Sequence, residues 1–413
     1  MKKLIPILIF LFVSNVALSQ SGWFYQNAGV DQSIRCVHFI NDNTGWIGGS
    51  SRTICKTTNG GQNWINIPNG GNYGFVNSIF FLDENTGFAA CSYDSVIKTT
   101  NGGINWITVY NSSSWDDLLD VYFLNSQLGW VVGFLGIIRK TTDGGNSWIS
   151  QYGTPWSLDA VQFVDENTGW AVGGGTPAVI IKTTNGGNYW YYQMLDSSIS
   201  GLWDLYMINN NTGWAVGINV YVNRIFKTTN GGSNWFAQQS PITSGLLSIH
   251  FENESTGWAS GSSGKIIKTT NAGTNWYIQE YPTNYNSLWE IYFTSLNVGY
   301  AVGSNSTVLK TTTGGVGIQP ISNEIPNKFL LHQNYPNPFN PITNIKFDIP
   351  RSANVKLIIY DALGREVATL VNEKLSAGSY ETSWDGSGYP SGVYFYRVES
   401  NEFIYVRKMV MIK

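Results

Sequence analysis

The sequence predicts an all-β protein, with a seven-bladed β-propeller followed by a small immunoglobulin-like β-sandwich. Three observations lead to this prediction. A phrase that begins Lys-Thr-Thr and ends Gly-Gly recurs along most of the 413-residue chain. Charged residues make up only 12% of the sequence, while Gly, Asn, Thr and aromatic residues are abundant, which favours strands and turns over helices. After residue 316 the phrase stops, and short strand patterns of another kind follow.

Residues 1–19 have the pattern of a signal peptide. Lys2 and Lys3 give a positive start, an apolar run covers 4–12, and small residues precede a cleavage site after Ser19. The apolar run is too short to cross a bilayer, and no Cys follows the cleavage site to carry a lipid. We therefore expect an exported chain whose mature part has no transmembrane segment.

The repeated phrase predicts the propeller. Successive copies begin 41 to 45 residues apart, and a period of this length is typical of propeller blades. Each copy holds four short strand patterns, and a Gly-rich turn suited to a tight hairpin separates the third from the fourth. The copies begin at Lys56, Lys98, Lys140, Lys182, Lys227, Lys268 and Lys310.

The seventh copy is incomplete, and this predicts how the ring closes. Six copies end with a Trp that is followed by a strand, but the last copy stops at Gly315. The stretch that begins Gly22-Trp23 resembles the missing strand. We therefore expect the N-terminal residues to complete the seventh blade of a propeller that covers 20–316. Such closure removes the exposed strand edge that could template aggregation.

A second pattern marks the innermost strand of each blade. A Gly-Trp or related Gly-aromatic pair occurs once per copy, and another large apolar residue lies seven positions before that aromatic. We call this earlier position the register residue. Apolar residues also lie two positions before it, so one face of each innermost strand is expected to be buried against the next blade. The register residues are Phe39, Phe81, Phe123, Phe163, Met207, Phe251 and Phe293.

The C-terminal region, 328–413, has a set of motifs that the repeats lack. They are Asn-Tyr-Pro-Asn-Pro-Phe-Asn-Pro at 334–341, Val-Lys-Leu-Ile-Ile-Tyr-Asp-Ala-Leu-Gly-Arg at 355–365, Ser-Gly-Val-Tyr-Phe-Tyr at 391–396 and Lys-Met-Val-Met-Ile-Lys at 408–413. With these motifs the region closely resembles the type A sorting domain of the type IX secretion system. The resemblance implies export through the periplasm, with the type IX machinery as a partner, to the medium or the outer cell surface, and in this family the domain is usually removed. Residues 317–327 contain two prolines and are predicted to be a linker to this domain.

The repeats resemble two related groups of propellers. The pattern Thr-x-Asn-x-Gly-x-x-Trp from Thr99 to Trp106 is similar to the Asp-box of sialidase-type propellers, and the third copy has the acid itself, Asp143. That resemblance implies a structural hairpin away from any active site. The Thr-Gly-Trp-Ala-Val-Gly and Lys-Thr-Thr phrases resemble the photosystem II stability/assembly factor propellers. Both resemblances cover roughly 23–316 and specify the fold more than the function.

Composition disfavours several functions. Residues 20–327 contain 12 Lys and Arg against 19 Asp and Glu, whereas nucleic-acid binding needs clustered basic residues. A sialidase needs three arginines that grip a carboxylate, but Arg52, Arg139 and Arg224 lie near third strands rather than innermost strands. The three His do not form a triad or a metal-site pattern. We expect no metal, no cofactor and no catalytic residue.

One group of residues is a candidate ligand site at the mouth of the central channel. Acids occupy the position three before the register residue in three copies, and Trp precedes two of them. Tryptophans could stack on a sugar there, and carboxylates could accept its hydroxyl protons. The alternative is that the acids form hydrogen bonds between packed blades. The candidate residues are Trp115, Asp120, Trp203, Asp204, Trp289 and Glu290.

The sequence therefore predicts an exported binding or interaction module with a glycan or protein ligand at the propeller mouth. The alternative is a glycoside hydrolase or lyase that uses paired carboxylates at the acidic mouth. Because few cations are available to pair with them, the acids are expected to face water. On that expectation, replacing Asp204 or Glu290 by alanine should barely change stability.

Overall fold

The computed structural model describes a chain that is almost entirely strand and turn. Two three-residue 3-10 turns, at Phe134–Gly136 and Ser262–Gly264, interrupt the strands. None of the described residues forms a helix long and apolar enough for a membrane span. The chain divides into two compact units with the boundary after residue 317. The described residues are 22–67, 74–112, 116–196, 199–218, 224–279, 286–315, 319–322, 325–386, 389–400 and 402–413.

The N-terminal unit is a β-propeller. Its described residues form seven antiparallel sheets of four strands each. Each innermost strand contacts the innermost strand of the next sheet, and the last of them contacts the first, so the sheets form a closed ring. Radial repetition of four-stranded sheets defines this architecture. The predicted all-β propeller class is confirmed.

Strands are numbered in chain order and occupy the same four places in every blade. The innermost strands are Ile34–Phe39 (β2), Val76–Phe81 (β6), Leu118–Phe123 (β10), Leu158–Phe163 (β14), Gly201–Met207 (β18), Leu246–Phe251 (β22) and Leu288–Phe293 (β26). The second strands are Gly45–Gly49 (β3), Gly87–Cys91 (β7), Gly129–Gly133 (β11), Gly169–Gly174 (β15), Gly213–Ile218 (β19), Gly257–Gly261 (β23) and Gly299–Gly303 (β27). The third strands are Ile54–Thr57 (β4), Ser95–Thr99 (β8), Ile137–Thr141 (β12), Ala178–Thr183 (β16), Arg224–Thr228 (β20), Ile266–Thr269 (β24) and Thr307–Gly315 (β28). The outer strands are Gly22–Tyr25 (β1), Ile65–Asn66 (β5), Ile107–Asn111 (β9), Ile149–Tyr152 (β13), Tyr191–Asp196 (β17), Phe236–Gln239 (β21) and Tyr277–Ile278 (β25).

The N-terminal strand closes the ring, as the incomplete seventh copy predicted. Strand β1 pairs antiparallel with β28, and Gly22 lies opposite Gly315. The side chain of Trp23 is buried, and its ring stands edge-on to Phe293 with 5.7 Å between the centroids. The first strand of the chain is therefore the outer strand of the last blade.

Aromatic stacking joins each blade to the next. The ring of Trp46 stacks on the register residue Phe81 of the following blade at a centroid distance of 3.4 Å, and Trp130 stacks on Phe163 in the same way. The Gly before each such aromatic has a steric reason. A Cβ on Gly45 would come within 2.4 Å of the Phe39 ring of its own blade. The repeated Gly-aromatic pair therefore lets the second strand pass close to the register residue.

The repeated lysine also joins neighbouring blades. Lys98 Nζ donates a hydrogen bond of 2.7 Å to the carbonyl oxygen of Gly144, which lies in the hairpin of the next blade. Lys56 Nζ, equivalent in the first blade, lies 4.9 Å from the centroid of the Trp46 ring. Equivalent lysine-to-carbonyl hydrogen bonds are formed by Lys56, Lys140, Lys182, Lys227 and Lys310.

The C-terminal unit has two antiparallel sheets of four strands. Buried side chains in these sheets include Phe347, Leu357, Trp384 and Tyr396. The strand orders are β29-β34-β31-β30 and β33-β32-β35-β36. The finer assignment to an immunoglobulin-like sandwich stays a prediction. The strands are Gln319–Ser322 (β29), Leu330–Leu331 (β30), Ile342–Ile349 (β31), Ala353–Tyr360 (β32), Glu366–Leu375 (β33), Gly378–Asp385 (β34), Gly392–Glu399 (β35) and Ile404–Met411 (β36).

The segment predicted as a linker, 317–327, differs in the structure. Strand β29 lies inside it and pairs antiparallel with β34, with Pro320 opposite Tyr380. Proline has no N–H to donate, but β29 is at the edge of its sheet, where one side of the strand needs no partner. Part of the expected linker therefore belongs to the C-terminal unit.

Replacing Trp23 by Ala should lower the free energy of unfolding by about 3–5 kcal/mol, because a buried indole is lost. Phe24→Ala is the matched control, since its side chain is 41% exposed in the same strand, and it should cost about 1 kcal/mol or less. Urea denaturation of the mature chain measures both values. Equal stability of the two variants would contradict closure through β1.

Candidate ligand site at the channel mouth

Each innermost strand begins with a β-bulge. In β10, Leu118 lies opposite Gly133, but Asp120 lies opposite Val132, so two steps on one strand meet a single step on the other. The same shift occurs in all seven described innermost strands. A bulge redirects the side chains next to it. As a result, residues three and four positions before the register residue both line the channel mouth in six of the seven described blades, and the first blade contributes Arg35.

Two layers of side chains surround a pocket at this mouth, with a volume of about 160 Å³. We call it the mouth pocket. The outer layer consists of Arg35, Asn77, Leu119, Asp159, Trp203, Leu247 and Trp289. The inner layer consists of Ser78, Asp120, Ala160, Asp204, Ser248 and Glu290.

The mouth pocket brings together five of the six residues predicted from the sequence. These are Asp120, Trp203, Asp204, Trp289 and Glu290. The sixth, Trp115, lies outside the described residues.

The two tryptophans of the outer layer differ in how firmly they are held. Trp289 Nε1 donates a 3.1 Å hydrogen bond to Ser304 Oγ, and the guanidinium of Arg35 lies 5.8 Å from the Trp289 ring centroid. Arg35 is itself stacked on Phe75, at 3.7 Å from that ring centroid. Trp203 is 40% exposed. Trp203 therefore offers the more accessible aromatic surface at the pocket.

The three predicted acids join neighbouring blades. Asp120 Oδ1 accepts a 2.7 Å hydrogen bond from Ser78 Oγ in the preceding blade, and Asp120 Oδ2 accepts a 2.9 Å bond from the backbone N–H of Val161 in the next. Each of these bonds satisfies a polar group near the bulge, where the ladder is disrupted. The equivalent bonds of the other two acids run from Ile249 N to Asp204 Oδ2 (2.8 Å) and from Val37 N to Glu290 Oε2 (2.6 Å).

This bonding overturns the expectation that the acids only face water and can be removed without cost. Asp204 and Glu290 line the mouth pocket, yet each also accepts a backbone N–H from another blade. The alternative interpretation of the sequence, hydrogen bonding between packed blades, describes these contacts. An acceptor in this position stabilises the ring, because an unpaired buried N–H is costly.

Asp159 is a fourth carboxylate of the mouth pocket, which the sequence analysis did not single out. It lies in the outer layer and forms no hydrogen bond or ion pair with any residue that the structure describes. Burial, and then the nearby charge of Asp120, raises the pKa of Asp159 to about 7. The available signal was its position four before the register residue, which it shares with Trp203 and Trp289.

Burial also raises the pKa of the three bridging acids. The pKa of Asp204 is raised to about 7, with burial as the main cause. Burial likewise raises the pKa of Asp120 and, more strongly, that of Glu290, against the opposing effect of their backbone hydrogen bonds. Arg35 is the one cation among the described lining residues, and its Nη1 donates to Asn77 Oδ1. The mouth pocket is therefore an acidic cavity.

A second cavity, of about 270 Å³, continues from the inner layer of the mouth pocket down the channel. Its side chains form further links between blades. Tyr122 Oη donates a 2.7 Å hydrogen bond to the carbonyl of Phe163, and His38 Nε2 lies 3.1 Å from the carbonyl oxygen of Phe81. Burial lowers the pKa of His38 to about 4, so the imidazole is neutral at pH 7. No three His, Cys, Asp or Glu in the described ranges are placed to hold a metal ion.

Two family models match separate parts of the chain. Residues 333–413 match a model described as the secretion system C-terminal sorting domain. Residues 109–244 match a model described as photosynthesis system II assembly factor YCF48. The first match confirms the predicted sorting domain, and with it export by the type IX system to the cell surface or the medium. The second confirms the predicted likeness of the propeller. No curated protein matches the chain.

Similar solved structures have the propeller fold. "YCF48 bound to D1 peptide" is 19% identical, covers 72% of this chain and 99% of its own, and has a TM-score of 0.61. YCF48 from Cyanidioschyzon merolae is 18% identical, with coverages of 70% and 98% and a TM-score of 0.60. The WD40 β-propeller domain of Doa1 is 12% identical, with coverages of 70% and 96% and a TM-score of 0.57. At these identities the similarity establishes the fold.

Asp204→Ala should lower the free energy of unfolding by about 1–3 kcal/mol, because the Ile249 N–H loses its acceptor. Asp159→Ala is the matched control. It removes a carboxylate from the same pocket that has no partner among the described residues, so stability should be unchanged or slightly higher. Chemical denaturation at pH 7 compares the two variants. Equal losses would show that the bridging bond of Asp204 contributes nothing.

Proposed function

We propose that the chain is an extracellular binding module whose propeller holds a glycan in the mouth pocket. The observation that supports this proposal most directly is that one cavity holds both an accessible Trp203 ring and the carboxylate of Asp159, which has no partner among the described residues. The sorting domain provides delivery to the outside of the cell, where polysaccharides are available as ligands.

The chemistry of the pocket suits a sugar. A pyranose has an apolar face of C–H groups, which stacks on an aromatic ring, and a rim of hydroxyls, which need acceptors. Trp203 offers the ring, and Asp159, Ser78 and Ser248 offer oxygen atoms that line the same cavity. A binding cavity with an aromatic wall and a few converging polar groups is the usual form of a small-ligand site.

Binding explains the pocket better than catalysis does. Glycoside hydrolysis needs two carboxylates, one to donate a proton and one to act as base or nucleophile. Asp120, Asp204 and Glu290 are each engaged by a backbone N–H of a neighbouring blade. These bonds hold the three carboxylates in the scaffold of the ring.

A glycoside hydrolase or lyase is the alternative function, and one observation favours it. Asp159 has no partner among the described residues, and its pKa is raised to about 7, which suits a general acid. On that alternative, Asp159→Asn would abolish cleavage of a bound glycan without abolishing its binding. Release of reducing ends from a bound polysaccharide distinguishes an enzyme from a binding module.

Trp203→Ala should weaken glycan binding by about tenfold or more, which corresponds to roughly 1.4 kcal/mol, because the stacking surface is lost. A glycan array on the secreted protein selects the ligand, and titration calorimetry measures its affinity. Tyr152→Ala is the control, since Tyr152 is an 82% exposed aromatic on outer strand β13, and it should bind like the wild type. Unchanged affinity of the Trp203 variant would contradict the proposed site. Selection of a peptide instead of a glycan would also contradict it; one neighbour of similar fold is described as bound to a peptide.

Removing residues 328–413 should trap the propeller in the periplasm, because the truncated chain has lost the signal that the type IX machinery recognises. Cell fractionation in a host with this system compares the truncated chain with the full chain. Thermal melting of the retained protein tests whether the propeller is folded. Folded truncated protein in the medium would show that the sorting domain is dispensable for export.

A further inference from the structure

The mouth pocket has more carboxyl groups than cations among the described residues that line it. Four carboxylates line it, and the described residues supply none of them with an ion-pair partner. Arg35, the one cation among the described lining residues, is held by a hydrogen bond to Asn77 and by the ring of Phe75. The described lining residues therefore leave the centre of the cavity without a positive group.

This arrangement favours a cation in the cavity. Carboxylates that are buried together disfavour ionisation, and an opposite charge a few ångströms away restores it. The pKa values of Asp159 and Asp204, both raised to about 7, have burial as their main cause. The backbone hydrogen bonds of Asp120, Asp204 and Glu290 hold these groups in place, so the carboxyl oxygens are positioned before a ligand arrives.

Two residues of the outer layer, Asp159 and Trp203, form no hydrogen bond to a neighbouring blade with any residue that the structure describes. Asp159 and Trp203 occupy the same position in neighbouring strands, β14 and β18, which contact each other. A carboxylate beside an aromatic face binds an ammonium group through both charge and cation–π attraction. A neutral hydroxyl gains only the hydrogen bond.

We propose that the mouth pocket selects a sugar with a free amino group, bound as its ammonium ion against Asp159 with the sugar ring on Trp203. This inference rests on the proposed glycan-binding function and names the class of sugar. An acetylated amine has no charge and would leave the carboxylates uncompensated. The ligand class is therefore a glycan that contains unacetylated amino sugars.

The test is titration calorimetry of the secreted protein with two β-1,4-linked oligomers of equal length, one of glucosamine and one of N-acetylglucosamine. At about pH 7 the glucosamine oligomer should bind about tenfold more tightly or better. The affinity for the glucosamine oligomer should pass through a maximum with pH, because acid removes the negative charge of Asp159 and Asp204 while base removes the positive charge of the amine. The affinity for the acetylated oligomer should change little over the same pH range.

Asp159→Asn removes the negative charge of this side chain and keeps its size. It should remove the preference for the amine, so that the affinity for the glucosamine oligomer falls to about that for the acetylated oligomer, while the thermal stability is unchanged. Glu166→Gln is the matched control, because it removes one exposed acid from the same blade outside the pocket, and it should keep the preference. Preservation of the preference in the Asp159 variant would overturn the inference.

The remaining outcomes distinguish the inference from the proposed function. Equal affinity for the two oligomers, lost in Trp203→Ala, would overturn the amine preference and leave glycan binding supported. Absence of binding to either oligomer and to every glycan of the array would overturn both. Binding of a lysine-containing peptide in place of the glucosamine oligomer would overturn the glycan source while showing that the pocket recognises ammonium.

Discussion

The propeller depends on one contact that is repeated from blade to blade. A lysine at the end of the third strand donates to a hairpin carbonyl of the next blade, as Lys98 does to Gly144. In the first blade the equivalent lysine is Lys56, which lies over the ring of Trp46. Trp46 in turn stacks on the register residue Phe81 of the next blade. Charge-assisted hydrogen bonding and ring stacking therefore act at the same junction. A ring made in this way needs both neighbours at every blade, which is why the N-terminal strand completes the last one.

Side chains also join neighbouring blades at the channel mouth. There they accept backbone hydrogen bonds, whereas the repeated lysines donate them. Each bulge interrupts the ladder, and in five of the seven described innermost strands a side chain from the preceding blade accepts an N–H of the interrupted strand. Asp120, Asp204 and Glu290 thus serve the ring and line the pocket at once. Side chains of the outer layer form fewer hydrogen bonds between blades. Variation four positions before the register residue, as between Asp159 and Trp203, can therefore change the lining of the mouth pocket without weakening the ring.

The candidate site was predictable only in part. Trp203, Asp204, Trp289 and Glu290 were found because they recur at fixed offsets from the register residues. Asp159 was missed although it shares the position of Trp203 and Trp289, because Ala160 stands where the other two copies have an acid. Alternation along a strand places every second side chain on one face, but the bulge directs two consecutive side chains towards the same pocket. Bulges depend on pairing with the neighbouring strand, so the alternating pattern of the chain does not show them.

Local signals were sufficient for the repeat, its turns, the all-β class and the sorting domain, because hairpin residues and alternating apolar positions act over a few neighbouring residues. Which groups the acids bind was decided only by long-range packing. Glu290 accepts from Val37 across 253 residues of sequence, and no local pattern distinguishes such a bridge from a carboxylate facing water. Strand β29 is a second case, since a proline-containing segment becomes a strand only where the edge of β34 is available to pair with it.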